Sequence, residues 1–130
     1  MTTEQQTAAQ IIALERAALD HWGRGDPSGY LEISAPDVTY FDPYLPRRLD
    51  GHLALSEWYS PLAGTIHIDH YEMLNPKVQF AGEAAVLTFN LASRSGATEM
   101  NWNCTEVYQR FDQNWRLIHT HWAITQHLSN

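Results

Sequence analysis

The side chains of this chain best suited to chemistry are three acids, Glu15, Asp42 and Glu106, the pair His119 and His121, and Cys104. Glu15 falls near the centre of an apolar stripe made by Ala8, Ile11, Ile12, Ala18, Leu19 and Trp22 at helical spacing. A carboxylate placed there is costly to bury unless it is paired or hydrogen-bonded. It is therefore expected either to point into a polar pocket or to bond a neighbouring element. Glu106 poses the same question from within a run of β-branched and aromatic residues. Asp42 ends the strand-like run Val38 to Phe41 and precedes Pro43. Its carboxylate can accept hydrogen bonds in an Asp-Pro turn. Facing an apolar cavity, it would have its charged form disfavoured and could serve as a general base. The spacing His119-x-His121 puts two imidazoles on one strand face, about 7 Å apart. Zinc or iron needs a third ligand and usually a carboxylate, and His67 and His70 belong to another strand, so no metal is expected. A lone Cys104 excludes an intramolecular disulfide and any Cys-based zinc site.

These residues need elements to hold them. The stripe predicts a helix over Thr3 to Arg24, stopped by Gly23 and Gly25. Asp26-Pro27 reads as the start of a second, short helix carrying Tyr30, Leu31 and Ile33 and ending before Pro36. A third short helix is expected from His52 to Tyr59, after the Asp50-Gly51 turn. After Gly64 the period changes. Strands are expected at Ile66 to Leu74, Lys77 to Ala81, Ala84 to Ser93, Met100 to Phe111 and Trp115 to Thr125, with turn chemistry at Asn75-Pro76, Gly82-Glu83, Arg94-Ser95-Gly96 and Asp112-Gln113-Asn114. Three helices followed by a long antiparallel meander make an α+β domain spanning 1–130, with helices packed on one sheet face. On the last strand one parity holds Trp115, Leu117, His119 and His121, the other Ile118, Thr120, Trp122 and Ile124. Both sets contain large apolar groups, so a homodimer through the first set is the economical expectation.

Composition removes several functions. The chain has 130 residues and a net charge of −7 with only eight Lys and Arg, so nucleic acid is not an expected partner. No apolar run approaches the roughly 20 residues a membrane helix needs, and the N-terminus carries no export signal. The expectation is a cytoplasmic protein that does not associate with membranes. Five Trp, six Tyr and four Phe in 130 residues are unusual, and they suit the walls of a wet-edged pocket.

Three segments resemble the nuclear transport factor 2-like (SnoaL-like) superfamily, which includes ketosteroid isomerase, SnoaL polyketide cyclases and the kinase association domain. They are Gly25-Asp26-Pro27 with Asp37 to Pro43, Glu57-Trp58-Tyr59, and Val107 to Asp112 with Trp115 to Trp122. The resemblance implies a cone, a curved sheet wrapped around helix 1 with a pocket beside the helices. It implies that Asp42 stands where ketosteroid isomerase has its catalytic aspartate, and that Tyr59 matches a supporting tyrosine. Two departures stand against isomerase chemistry: Ala18 occupies the place of the oxyanion-hole tyrosine, and Val107 that of the protonated acid. Trp22, Tyr40, Trp58 and Trp122 are the expected walls, favouring a flat or ring-shaped apolar ligand. Ile118 and Thr120 are implied to join them, with His119 and His121 on the outer face. On the long strand the isomerase match favours Asn103 inside the cone. The association-domain match favours the opposite set, Trp102, Cys104 and Glu106, and a β-bulge could reconcile the two.

The leading expectation is a homodimeric pocket protein for a small, partly apolar molecule, needing no cofactor. Acid/base chemistry through Asp42, of isomerase, cyclase or hydratase type, fits that pocket. A non-catalytic ligand binder is the alternative. The other is an oligomerisation module like the kinase association domain, which expects an appended domain or linker this sequence does not show.

Overall fold

The computed structural model describes residues 1–125. Helix α1, Thr3–Gly23, opens on a capping box: Thr2 accepts from the Gln5 amide while the Gln5 side chain accepts from the Thr2 amide. Its buried positions Ile11, Glu15, Ala18, Leu19 and Gly23 form the stripe expected from the sequence. Gly25, at φ +83°, turns the chain where a Cβ would stand 3.1 Å from the Ile66 carbonyl oxygen. Asp26 then accepts from both the amide and the hydroxyl of Ser28 and starts α2, Ser28–Ile33. Gly29 lets α2 lie against α1, since a Cβ there would meet His21 Cβ at 2.9 Å. Helix α3, His52–Tyr59, buries Leu55 and Tyr59.

The strands are β1 (Ser34–Phe41), β2 (Leu49–Asp50), β3 (His70–Ala81), β4 (Ala84–Ser95), β5 (Thr98–Phe111) and β6 (Asn114–Ile124). They form one six-stranded sheet in the order β2-β1-β6-β5-β4-β3. Helix α1 crosses its inner face, with Glu15 meeting Tyr108 of β5 and Asp20 meeting Tyr71 of β3. The result is the α+β cone of the nuclear transport factor 2-like fold.

Three expectations need correction. The sheet is not wholly antiparallel, because β1 runs parallel to its neighbour β6. Asn75-Pro76 does not divide two strands; β3 runs through it with an irregularity, Asn75 adopting φ +49°. The last strand does not keep one parity either. Val107 faces His119 and Tyr108 faces Leu117, which leaves Ile118 as the extra residue of a bulge. Below the bulge Leu117 is fully buried and Trp115 packs on the core beside Phe80; above it Thr120 is buried. The face expected for dimerisation, Trp115 and Leu117 with His119 and His121, is therefore split. Its first two members belong to the core.

Candidate functional site

A cavity of about 460 Å³ opens between α1, α3 and the ends of β4 and β5. That volume is in the range of sites that take small organic molecules. Trp22 of α1, Tyr40 of β1, Trp58 and Tyr59 of α3, Trp102 of β5 and Trp122 of β6 form its aromatic walls, with Leu19, Leu62, Ile66 and Leu91 between them. The rings meet at steep angles. Trp22 and Tyr59 have centroids 5.0 Å apart at 65°, Tyr40 and Tyr59 5.6 Å at 90°, and Trp102 and Trp122 5.9 Å at 85°. Such edge-to-face contacts fix each ring by its neighbours, so the walls are preformed.

Asp42 stands in this wall, at the point where β1 ends before Pro43. One carboxylate oxygen accepts from the Tyr40 hydroxyl at 2.9 Å and from Trp58 Nε1 at 3.0 Å; the other accepts from the Tyr44 amide at 2.8 Å. Both the turn role and the pocket role are present. The turn amide orients the carboxylate, and two ring donors fasten it to the aromatic wall. A carboxylate offers about four acceptor positions, so three protein donors leave one for a ligand.

A second acidic group lies beneath the cavity, closed off from it. Glu15 is fully buried and accepts from Tyr30 at 2.6 Å and from Tyr108 at 2.7 Å. Glu106, also fully buried, has no hydrogen-bonding partner of good geometry on either oxygen. Glu15, Thr120 and Cys104 are the polar groups beside it. Oxygens of the two glutamates and the Cys104 sulfur lie within 4.8 Å of one another. Burial pushes Glu106 well above its ordinary carboxyl value, and the charge on Glu15 pushes it further. Burial raises Glu15 too, against the opposing hydrogen bonds it receives. The two phenol donors favour the charged form of Glu15, while burial and the neighbouring acid favour the protonated form of Glu106. These three side chains are the one group among the described residues with enough ligand atoms for a metal. Both Glu15 oxygens are already committed to phenols.

A family model for the calcium/calmodulin-dependent protein kinase II association domain matches residues 7–125. The chain belongs to the association-domain family. Within the same superfamily, a protein from Parabacteroides distasonis provisionally assigned as a ketosteroid isomerase is 42% identical, with 89% of this chain and 86% of that one covered and a TM-score of 0.82. The association domain of the C. elegans kinase is 20% identical over 92% of this chain and 97% of that one, with a TM-score of 0.78. A nuclear transport factor 2-like protein from Streptomyces avermitilis, provisionally assigned as a dehydratase, is 21% identical over 96% and 100%, also at 0.78. The last two likenesses concern the fold alone. No curated protein matches the chain.

In this association-domain chain, Asp42, Trp22, Tyr40, Trp58, Tyr59 and Trp122 all line the cavity. The other residues read from the sequence as pocket residues lie elsewhere. Asn103 is exposed on the outer face, accepting from Asn90 at 2.6 Å, because β5 turns Trp102, Cys104, Glu106 and Tyr108 inward. Val107 faces outward for the same reason, so the inward acid of that strand is Glu106, one residue earlier than the isomerase comparison implies. Glu15, Glu106 and Thr120 are buried below the cavity and do not line it, and Ile118 is displaced by its bulge. His119 and His121 pair in register with Thr39 and Phe41 on the outer face, and His119 Nδ1 lies 2.7 Å from the Thr39 hydroxyl. Trp102 stands inside, as the association-domain alternative implies, and the walls missed include Tyr30, Tyr44 and Leu91 with the rim residues His67 and Arg94. Strand parity would have found Leu91 once β5 was oriented. For Tyr44 and the rim, which lie in loops or at a strand end, no periodic signal exists.

Proposed function

We propose that this protein binds a small, ring-shaped, largely apolar molecule in the aromatic cavity and that Asp42 accepts a proton from it. The observation that carries this reading is the placement of Asp42: the one acidic side chain of the cavity wall among the described residues, oriented by three donors with an acceptor position left over. A base held against an apolar cavity is partly freed from competing water, the condition general-base catalysis needs. The provisional assignment of the Parabacteroides protein as a ketosteroid isomerase lends support. The test is 5-nitrobenzisoxazole, a planar apolar compound whose isoxazole ring opens when a base takes the single C–H proton of that ring and the N–O bond breaks, leaving a nitrile and a phenolate. The wild type should accelerate that opening, and Asp42→Asn should lower the rate about a hundredfold or more. Equal rates in both proteins would remove Asp42 from any chemistry.

Family membership favours a second role, self-association, which does not compete with the first. We propose that the outer sheet face mediates it. Half-buried Val86, Val107 and Ala123, with exposed Phe41 beside His119 and His121, put small and apolar groups on that face. Light scattering at micromolar concentration should give a mass above the 14.9 kDa of one chain, and Val107→Asp should lower it. A wild-type monomer would end this reading and leave the pocket reading intact.

A further inference from the structure

The cavity has a polarity that narrows its ligand. Its wall carries a negative group. Asp42 is the only acid among the described lining residues, and Tyr30, another wall residue, turns its hydroxyl away to donate to Glu15. Among the described residues the two basic lining side chains, His67 and Arg94, are exposed at the rim, and His67 is already held by Asp69 at 2.6 Å. Charge acts strongly in a dry interior and weakly at a wet rim, where salt screens it. An anionic head seated among the rings would meet Asp42, and among the described residues no cation stands beside it to offset the desolvation.

The walls point the same way. Rings that stand at 65° to 90° to their neighbours form corners of a box, so the rings enclose one volume instead of stacking on each other. The π faces of indole and phenol rings are electron-rich and attract a cation placed within about 6 Å. Trp22, Tyr59 and Tyr40 make one corner, next to Asp42; Trp102 and Trp122 make the other. Aromatic walls around a lone carboxylate form a site for positive charge on an apolar body.

We propose that the cavity selects an organic ammonium ion with an apolar body, its charge boxed by the rings and turned toward Asp42. This inference rests on the pocket reading above and adds the class of ligand. The net charge of −7 also draws cations toward the protein from solution, so the test must separate steering from the site itself.

Three probes of nearly one shape differ only in charge: benzyltrimethylammonium, the neutral neopentylbenzene and the anion phenylmethanesulfonate. Their binding is read by tryptophan fluorescence in about 0.15 M salt, where exposed charges are largely screened. The ammonium should bind at least tenfold tighter than the neutral compound, and the sulfonate weakest. Asp42→Asn should cost the ammonium about tenfold and leave the neutral probe unchanged. Asp112→Asn, which removes an equal charge from a remote turn, should leave all three unchanged. Ammonium and neutral probes binding equally would overturn this inference while sparing the pocket reading. So would a sulfonate that binds tightest, which would hand the polarity to Arg94 and His67. Failure of all three to bind would overturn the pocket reading as well.

Discussion

Asp42 in the cavity and Glu106 in the core are both acids set among tyrosines, yet their immediate surroundings are opposite. Asp42 receives donors from Tyr40, Trp58 and the Tyr44 backbone, and it borders open space. Glu106 has no well-placed donor, is fully buried, and faces a second carboxylate. The aromatic company is the same; the number of donors and the presence of a cavity differ. Hydrogen bonding favours the charged form of a carboxyl, while burial and a like charge favour the neutral one. A site that must exchange protons with a ligand needs the first arrangement. The second can only hold a proton in place and tie α1 to the sheet.

The sharpest way to break this contrast is to remove the acceptor of the core cluster. Glu15→Ala strands the hydroxyls of Tyr30 and Tyr108 and opens a void beside Glu106. Loss of a buried network member costs about 3–5 kcal/mol, so urea denaturation should find a severely destabilised or unfolded protein. A cost below about 1 kcal/mol would mean the cluster does not anchor α1.

Glu106→Gln tests the raised carboxyl with the opposite sign. The amide carries a permanent N–H donor toward Glu15 and can never ionise. In the wild type, the folded-state value of Glu106 is raised above the ordinary 4.5. Its stabilising contribution is therefore complete below that ordinary value and is lost as the pH rises toward the folded-state value. Over that window the wild type should lose up to about 1.4 kcal/mol per pH unit relative to Glu106→Gln. Melting temperatures from pH 5 to pH 8 should thus diverge, the variant becoming the more stable at the alkaline end. Parallel curves would show that Glu106 gives up its proton on folding as readily as in water.

How much of this was legible beforehand depends on which periodicity governs each residue. The buried face of α1 could be read directly, because Ile11, Glu15, Ala18 and Leu19 repeat at the helical period and nothing interrupts it. The wall residues Trp22 and Tyr40 followed from their positions in elements, while Trp58 and Tyr59 came with the resemblance of their segment. The strands were harder. A period of two says that Asn103 and Trp102 face opposite ways, but not which is inside, since each parity of β5 contains residues a core or a surface would accept. The bulge at Ile118 then moves the inward set by one residue, and no local composition marks it. The closeness of Glu15 and Glu106 is a tertiary fact between residues 91 positions apart.

A smaller effect on stability is expected at Asp42. In Asp42→Asn the side-chain oxygen can keep part of its hydrogen bonding, but one of the three donors loses its partner. The cost should be about 1 kcal/mol, a shift of a few degrees in Tm. The proton-transfer rate on 5-nitrobenzisoxazole should fall far more than stability does. That mismatch is what separates a working carboxylate from a turn cap: a variant melting several degrees lower with full activity would leave Asp42 only its role at the end of β1.

The smallest effect is expected at Asn103, and its value lies in the neighbouring residue. Asn103 and Trp102 are adjacent on β5, yet the side chain of one is exposed and bonded to Asn90, while the other lines the cavity. Asn103→Ala removes one exposed hydrogen bond. It should change stability by less than about 0.5 kcal/mol, as surface substitutions generally do, and leave neopentylbenzene binding untouched. Trp102→Ala removes wall area worth about 25 cal/mol per Å² of apolar contact, so the same probe should bind roughly tenfold more weakly. The pair of variants reports the facing of the strand without reference to any mechanism. If Asn103→Ala weakened the probe and Trp102→Ala did not, the register of β5 against β6 would be off by one. Glu106 would then leave the core, and the contrast between a dry acid and a wet one would go with it.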